Sequence, residues 1–480
     1  MILPNNGKVV IIDDKPDDVI ELIGALSKAK VPFVHYKEED LSDLPESPIE
    51  NVRLIFLDLE LVTDVYLGEK NITSPIKTRL EKIIKPNTIY ALVIWSKKEN
   101  DYKQALLNDF NGEFNAYKPI FHTSLPKAEI KGLDKIEAME RIKKELKTEM
   151  TKFSSFNAFL VWESIVNESS GKLTNDVTSL YLPDESWDNK TKYLLYKLAV
   201  AYSGKTAKDF DDIAQLKNAL YTLTMTFTDN IENSINNVID NKFSGLVNDT
   251  YQQITNFTSV INRLLLISES SDDVLQPGNV FFCIDELNIK LGQVEHDFEE
   301  KKKGIEKIAQ EKRPDAFNGL SKKINTSREA VNSTIRQKTK DFNRITVDSL
   351  NEDISKNRTT VRDEILSECK YIELNITPLC DYAQKKAVMY RILPGIIAKL
   401  EYRKHFNAKN AYSYISEADF KLGDNDYFFI FDFRFLYSND GNTLKSRFAK
   451  YRLKQQLLSD VQLKLGAHIN RTGVLFVPQV

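Results

Sequence analysis

The chain has 480 residues, of which 42% are hydrophobic and 28% charged, and its formal net charge is −3. This length exceeds one ordinary core and predicts two to four domains, while the near-balanced charge excludes a general attraction to nucleic acid or membranes. With only three cysteines, no apolar run near the roughly 18 residues of a membrane helix and no room for a signal peptide, we expect a cytoplasmic protein without disulfides.

Three short apolar runs early in the chain each end in polar side chains. They are Lys8–Ile12 before Asp13 and Asp14, Leu54–Leu57 before Asp58, and Ala91–Trp95 before Ser96. Continuous apolar runs of this length are typical of strands buried on both faces of a parallel sheet. Polar groups at the carboxyl ends of neighbouring strands meet in one crevice, and carboxylate oxygens suit Mg²⁺. The pattern therefore predicts a magnesium site for phosphoryl chemistry.

The first third of the chain resembles the receiver domain of two-component response regulators. The resemblance rests on the acidic pair Asp13 and Asp14, on Asp58 at the customary separation from that pair, and on Ser96. It implies a doubly wound, flavodoxin-like α/β domain with a parallel five-stranded sheet at residues 1–150.

The resemblance also implies a role for each residue. Asp58 accepts a phosphoryl group from a cognate histidine kinase or phosphotransfer protein, Ser96 reports phosphorylation to the surface, and a lysine pairs with the phosphoryl oxygens. The implied ligands of Mg²⁺ are Asp13, Asp14, Asp58 and the backbone carbonyl of Glu60. For the lysine we favour Lys127, because the fifth strand should lead almost directly into the last helix. The alternative is Lys118, which precedes Pro119 as in the family.

Residues 151–272 are expected to form an all-helical domain. Apolar residues recur there in steps of three and four, which is the spacing of one helix face. One such set is Leu216, Leu220, Leu223 and Phe227. We interpret this set, and the aromatic residues around Trp162, as core packing, with turns at residues 169–171 and 203–204.

The remainder, residues 273–480, is expected to be a small α+β or barrel-like domain that a long helical hairpin interrupts at about 287–368. A turn at residues 276–279 leads into one strand, and a second strand covers Tyr371–Thr377, so we expect the two strands to pair. Heptad-spaced apolar residues between them indicate two coiled helices separated at Pro314.

Three further elements are expected near the C-terminus: a strand over Tyr427–Tyr437, a helix over Leu444–Ile469 and a strand over Val474–Val477. This half faintly resembles bacterial proteins with a Pro-Gly-Asp/Asn strand and a Thr-Pro-x-Cys-Asp turn, here at Pro277–Asn279 and Thr377–Asp381. That resemblance implies no activity.

The favoured function is a phosphorylation-controlled bacterial signalling protein of a phosphorelay, which switches an output protein partner and is not otherwise an enzyme. An alternative is a receiver-gated effector whose C-terminal half binds nucleic acid or has a hydrolytic activity in antiviral or stress defence. This alternative rests on basic residues between Lys312 and Arg344 and along the expected C-terminal helix, which could contact nucleic acid. Nucleic acid is not favoured, because aromatic residues for stacking are nearly absent there. A third function is an adaptor with an inactive receiver.

Overall fold

The computed structural model describes residues 8–37, 44–59, 61, 69–96, 99–239, 257–270, 273–385, 389–407 and 410–470, with the backbone alone at 69–72 and 99–101. Contacts group the chain into two compact units. Unit one is Met1–Leu195 with Leu220–Thr250, and unit two is Tyr196–Ala219 with Tyr251–Val480. The helical segment after residue 150 contributes to both units, and the division into three domains stays a prediction.

Unit one contains a five-stranded, all-parallel sheet. Its strands are β1 (Lys8–Ile12), β2 (Phe33–Tyr36), β3 (Val52–Leu57), β4 (Ala91–Ile94) and β5 (Phe121–Ser124). They lie in the order β2-β1-β3-β4-β5. The three apolar runs that the sequence predicts to be strands are β1, β3 and β4, which neighbour one another in this order. Ile12 pairs with Leu57, Leu57 with Ile94, and Ile94 with Ser124. The carboxyl ends of these four strands are therefore level at one edge.

Helices cover both faces of this sheet. They are α1 (Pro16–Lys28), α2 (Glu69–Ile83), α3 (Glu99–Asn111) and α4 (Lys135–Lys152). Ile11 of β1 shares one buried cluster with Leu22 of α1 and Ile142 of α4. The next residue, Ile12, shares a second buried cluster with residues of α2 and α3. Since successive side chains of a strand point to opposite faces, the continuous apolar runs supply both cores.

The segment after α4 is helical, as predicted. Its helices are α5 (Ser154–Thr178), α6 (Trp187–Ser203), α7 (Asp212–Val238) and α8 (Thr258–Leu266). The turn expected at residues 169–171 is wrong, because α5 continues through this stretch and an interior glycine costs a helix only about 1 kcal/mol. Core packing is also wrong for Phe159 and Trp162, which are 68% and 53% exposed, and for Leu216. Helical spacing indicates an apolar face without indicating what covers it.

Unit two contains a nine-stranded sheet whose strands pair antiparallel throughout. Its strands are β6 (Ile267–Glu269), β7 (Asn279–Phe281), β8 (Lys370–Asn375), β9 (Met389–Lys399), β10 (Ser413–Ile415), β11 (Phe420–Leu422), β12 (Asn425–Asp432), β13 (Tyr437–Asp440) and β14 (Ala449–Leu453). The order is β10-β12-β9-β8-β7-β14-β6, with β11 on β12 and β13 on β9. Among the described strands, β10 and β6 stand at the two ends of this order and do not pair with each other. Because a closed barrel has no such edge strands, the sheet favours the α+β description over the barrel-like one.

The helical hairpin lies between β7 and β8, and these two strands pair, with Val280 opposite Leu374. The helices of this unit from here on are α9 (Cys283–Ile305), α10 (Arg313–Ser349), α11 (Glu352–Asn357), α12 (Thr359–Glu368), α13 (Leu379–Ala383), α14 (Gly441–Lys445) and α15 (Gln455–Ile469). Helices α9 and α10 form the hairpin, and Pro314 lies in the first turn of α10. A proline is tolerated there because that N–H has no partner within a helix.

The sheet of unit two is packed on both faces. In β12, Phe429 and Phe431 belong to a buried cluster with residues of α15. The alternate residues Phe428 and Ile430 belong to a second cluster that includes the end of α10. None of the helices within the described ranges combines the length and the apolar character needed to span a bilayer.

The helix expected over Leu444–Ile469 is wrong in its first half. Residues Ala449–Leu453 form β14, which pairs with β6 and β7, and only the residues from Gln455 onward form α15. Ala449 and Leu453 are buried in this sheet. Pairing with distant strands therefore determines the structure here, although the spacing of the apolar residues also fits a helix.

The strand expected over Tyr427–Tyr437 is too long. Strand β12 ends at Asp432, and a 3-10 turn follows at Phe433–Phe435. The Asp432 side chain accepts a hydrogen bond from the Arg434 N–H, which favours a turn over a continued strand. The strand expected over Val474–Val477 lies outside the described residues.

Candidate metal centre

Three carboxylates lie together at the level carboxyl ends of β1 and β3. Asp13 and Asp14 follow β1, Asp58 follows β3, and one oxygen from each lies within 4.8 Å of the others. Hydrogen bonds from Asp13 N to Tyr36 O (3.2 Å) and from Asp58 N to Ile12 O (2.9 Å) continue the strand pairing. The structure thus brings together the three acids that the sequence expects to converge.

Lys127, which follows β5, contacts this acidic cluster with its ammonium group. It begins a 3-10 turn, Lys127–Glu129, after β5, and it is only 3% exposed. Its Nζ lies 2.7 Å from Asp13 Oδ2 and donates a hydrogen bond to Asp58 Oδ2. Burial lowers the pKa of Lys127, but the hydrogen bonds and charges of the two carboxylates outweigh burial and raise that pKa, so the ammonium stays charged.

The other candidate lysine lies elsewhere. Lys118 is exposed, and its Nζ donates to Asn111 Oδ1 at 2.7 Å. Of the two candidate lysines, the favoured Lys127 is therefore the one that contacts the acidic cluster.

Burial raises the pKa of the Asp13 carboxyl to about 6. The hydrogen bonds from Lys127 and from the Lys15 N–H, 2.9 Å from Asp13 Oδ1, oppose this rise, and the negative charge of Asp58 adds to it. Asp13 is fully buried and Asp58 is 1% exposed. One ammonium group therefore does not offset the cost of placing these carboxylates together away from water.

Ser96 follows β4 at the same edge of the sheet. It is 1% exposed, and its Oγ has no hydrogen-bond partner among the described residues. A buried hydroxyl without a partner is costly, so this atom is suited to an incoming acceptor. Glu60, whose carbonyl is an expected metal ligand, lies outside the described residues.

Asp18 is a further residue of the site, and it is not among the residues that the sequence predicts for it. Its Oδ2 lies 3.4 Å from Lys127 Nζ. The signal was present in the sequence, because Asp18 stands in the first turn of α1, the helix that begins right after the acidic pair.

The residues at this edge fit a divalent cation. Asp13, Asp14 and Asp58 bring three negative charges and Lys127 one positive charge, so these four residues have a net charge of −2, and Asp18 adds a further negative charge beside Lys127. Asp14 Oδ1 is buried and lacks a hydrogen-bond partner within the described part of the chain. Mg²⁺ prefers hard carboxylate oxygens, and its charge would cancel that of the four residues.

Of the basic residues behind the nucleic-acid alternative, those between residues 313 and 344 share α10, and some of them are paired with carboxylates. On α10, Arg328 pairs with Glu295 at 3.1 Å, and Lys338 pairs with the buried Glu373. The basic residues expected on one C-terminal helix divide over α14, β14, α15 and the segments between them. They are Lys445, Arg447, Lys450, Arg452, Lys454 and Lys464. The expectation that these six residues lie on one helix is therefore wrong.

Comparison with protein-family models and with curated proteins finds no match to this chain. Inference about function therefore begins from the geometry at the sheet edge.

Proposed function

We propose that unit one is a phosphoacceptor domain of the receiver type, in which Asp58 accepts a phosphoryl group and thereby switches a protein-interaction output. The observation that carries the proposal is the meeting of Asp13, Asp14 and Asp58 with Lys127 at one edge of a parallel sheet. The strand order β2-β1-β3-β4-β5 supports it, since flavodoxin-like sheets have this order and bind ligands at the carboxyl ends of their strands.

The chemistry follows from the positions of the charged groups. An Asp58 carboxylate oxygen attacks the phosphorus of a phosphohistidine; the O–P bond forms, the P–N bond breaks, and its electron pair returns to the imidazole. Asp13, Asp14 and Asp58, with the Glu60 carbonyl as the resemblance implies, would hold Mg²⁺, which when bound would neutralise charge on the transferring group.

Lys127 and Ser96 have separate parts in this proposal. Lys127 Nζ now bonds to Asp58 Oδ2, and after transfer the ammonium pairs with a phosphoryl oxygen. The unpartnered Ser96 Oγ donates to another phosphoryl oxygen. Because Ser96 follows β4 at the sheet edge, its movement toward the phosphoryl group changes the surface near that edge and so reports the added charge.

The partners in this proposal are a histidine kinase or phosphotransfer protein as donor, and an output protein. A cytoplasmic location is proposed with them, because all three cysteines are free thiols, as expected in a reducing compartment.

The test is intact-mass measurement of the full chain after incubation with acetyl phosphate, with and without Mg²⁺. We expect a mass increase of one phosphoryl group that depends on Mg²⁺ and is absent from Asp58→Asn. Asp17→Asn is the matched control, because Asp17 is an exposed carboxylate in the first turn of α1. Phosphorylation that persists in Asp58→Asn would reject the proposed acceptor.

A further inference from the structure

A cavity of about 550 Å³ opens in unit two. It is lined by residues of β10, of the 3-10 helix Leu400–His405 and of the last turns of α15. Cavities of this size are typical of small-molecule sites.

Three basic side chains line this cavity: Arg403, Lys464 and His468. Within the described ranges, none of them lies within 4.0 Å of a carboxylate oxygen. Arg403 Nη2 donates to the backbone oxygens of Ser416 and Glu417, which fix the guanidinium without neutralising it. The exposed Lys464 ammonium lies 4.9 Å from the centre of the Tyr414 ring.

The cavity lining therefore carries excess positive charge. One carboxylate, that of the exposed Glu417, also lines it, so two permanent positive charges face one negative charge while His468 is neutral. Basic groups without carboxylate partners at the wall of a cavity are available to pair with an anionic ligand.

The uncharged lining is mixed. Asn410 and Ser413 are polar, Ala411, Ile415 and Ala467 are aliphatic, and the buried Phe406 and Phe433 are aromatic. The His468 ring packs on Phe433 with ring centres 5.6 Å apart, and His468 Nδ1 lies 3.1 Å from the Ala411 carbonyl oxygen. This contact holds the imidazole as a second flat surface beside the phenyl ring, and such surfaces suit a planar ring of a ligand.

We propose that this cavity binds a small organic phosphate that carries a flat ring, the class to which mononucleotides belong. Arg403 and Lys464 pair with the phosphate, and Phe433 with His468 contacts the ring. Neither the phosphoacceptor chemistry of unit one nor the nucleic-acid alternative assigns a ligand to these residues.

The test is isothermal titration calorimetry on the full chain with adenosine monophosphate, adenosine and inorganic phosphate as probes. We expect adenosine monophosphate to bind with a Kd below about 1 mM. Adenosine lacks the anion and inorganic phosphate lacks the ring, so each is expected to bind at least about tenfold more weakly. No binding of adenosine monophosphate, or equal binding of adenosine, would overturn the proposal.

Two variants locate the binding. Lys464→Gln, a change of an exposed side chain that leaves the fold intact, is expected to weaken adenosine monophosphate binding about tenfold through loss of one charge-assisted contact. Lys445→Gln is the matched control, because Lys445 is also exposed but does not line the cavity. Equal loss in both variants, or loss in neither, would place the nucleotide elsewhere and reject the site.

Discussion

Two groups of buried charges, one in each unit, differ in how far the protein itself neutralises them. In unit one, the carboxylates of Asp13, Asp14 and Asp58 have the single ammonium of Lys127. In unit two, the single carboxylate of Glu373 on β8 is fully buried and surrounded by donors. Its hydrogen-bond partners are Lys338, Arg447, Tyr371 and Tyr437 with the Cys283 thiol.

The pKa values of the two groups move in opposite directions, although both are buried. Burial raises the pKa of Asp13 to about 6, and Lys127 does not offset it. Burial also raises the pKa of Glu373, but the charges of Lys338 and Arg447 outweigh burial and hold it at about 2. Burial of a charge therefore does not identify a functional site. The informative feature is a set of buried carboxylates with too few donors and cations to offset their burial, which occurs at the sheet edge of unit one.

The largest effect is expected from Glu373→Gln. The amide keeps the shape of the side chain but removes the carboxylate with which Lys338 and Arg447, both mostly buried, form ion pairs. Breaking a buried pair in this way costs about 3–5 kcal/mol. Urea denaturation at pH 7 measures the free energy of unfolding. Glu401→Gln, a change of an exposed glutamate, is the control, and an equal effect of the two changes would show that Glu373 is not a stabilising centre.

The next largest effect is that the two groups make the free energy of unfolding depend on pH with opposite sign. Without metal, the pKa of Asp13 is about 6 in the folded chain, against an ordinary value of 3.8 for the unfolded chain. Protonation of Asp13 therefore adds to the free energy of unfolding below pH 3.8, and this addition is lost as pH rises through about 6. The difference between the two pKa values corresponds to about 3 kcal/mol of unfolding free energy. The ionised Glu373 adds to the free energy of unfolding above pH 4.5, and this addition is lost as pH falls toward about 2.

Unfolding free energies of the native chain and of Asp13→Asn, measured in EDTA from pH 4 to 7, test the first half of this expectation. The decline between about pH 4 and 6 should be absent from the variant. Added Mg²⁺ should stabilise the native chain more at pH 7 than at pH 5, since the ion requires ionised carboxylates. Parallel curves for the two proteins would mean that Asp13 titrates normally.

A smaller effect is expected from Asp14→Asn. In EDTA this change removes one of three mutually repelling charges, so the chain should gain about 1 kcal/mol of stability. The same change should weaken Mg²⁺ binding at least about tenfold, because a carboxylate ligand is lost. Urea denaturation and Mg²⁺ titration measure the two results, with Asp17→Asn as control. A less stable Asp14→Asn would show that the protein already satisfies this carboxylate.

The sequence predicts the acidic cluster because its signal is local. Each acid follows a short apolar run, and parallel strands place their carboxyl ends together. The Glu373 cluster was not predicted, since its members come from five distant segments of the chain. The local signal there was an acid within the otherwise apolar strand around Ile372 and Leu374, which is unusual for a buried strand.

Elements whose partners are distant were the least predictable. In β14, Tyr451 lies opposite Val280 and Glu269, and nothing near residue 451 indicates these partners. The spacing of Leu453, Leu457 and Val461 fits a helix, so the strand was missed. Both lysines stayed candidates for a similar reason, because the sequence does not show how the chain turns after β5.

The smallest effect is expected from Lys118→Gln, and it separates the two lysines. Among the described residues, Lys118 hydrogen-bonds to Asn111 at the surface and does not contact the acidic cluster, so phosphorylation of Asp58 by acetyl phosphate should change by less than about twofold. Lys127→Gln removes the ammonium that contacts Asp13 and Asp58 and should slow the same reaction about tenfold or more. Rates come from the time course of intact mass. A slow Lys118→Gln with a normal Lys127→Gln would transfer the role to Lys118, since only a lysine that reaches the phosphoryl oxygens can affect the transfer rate.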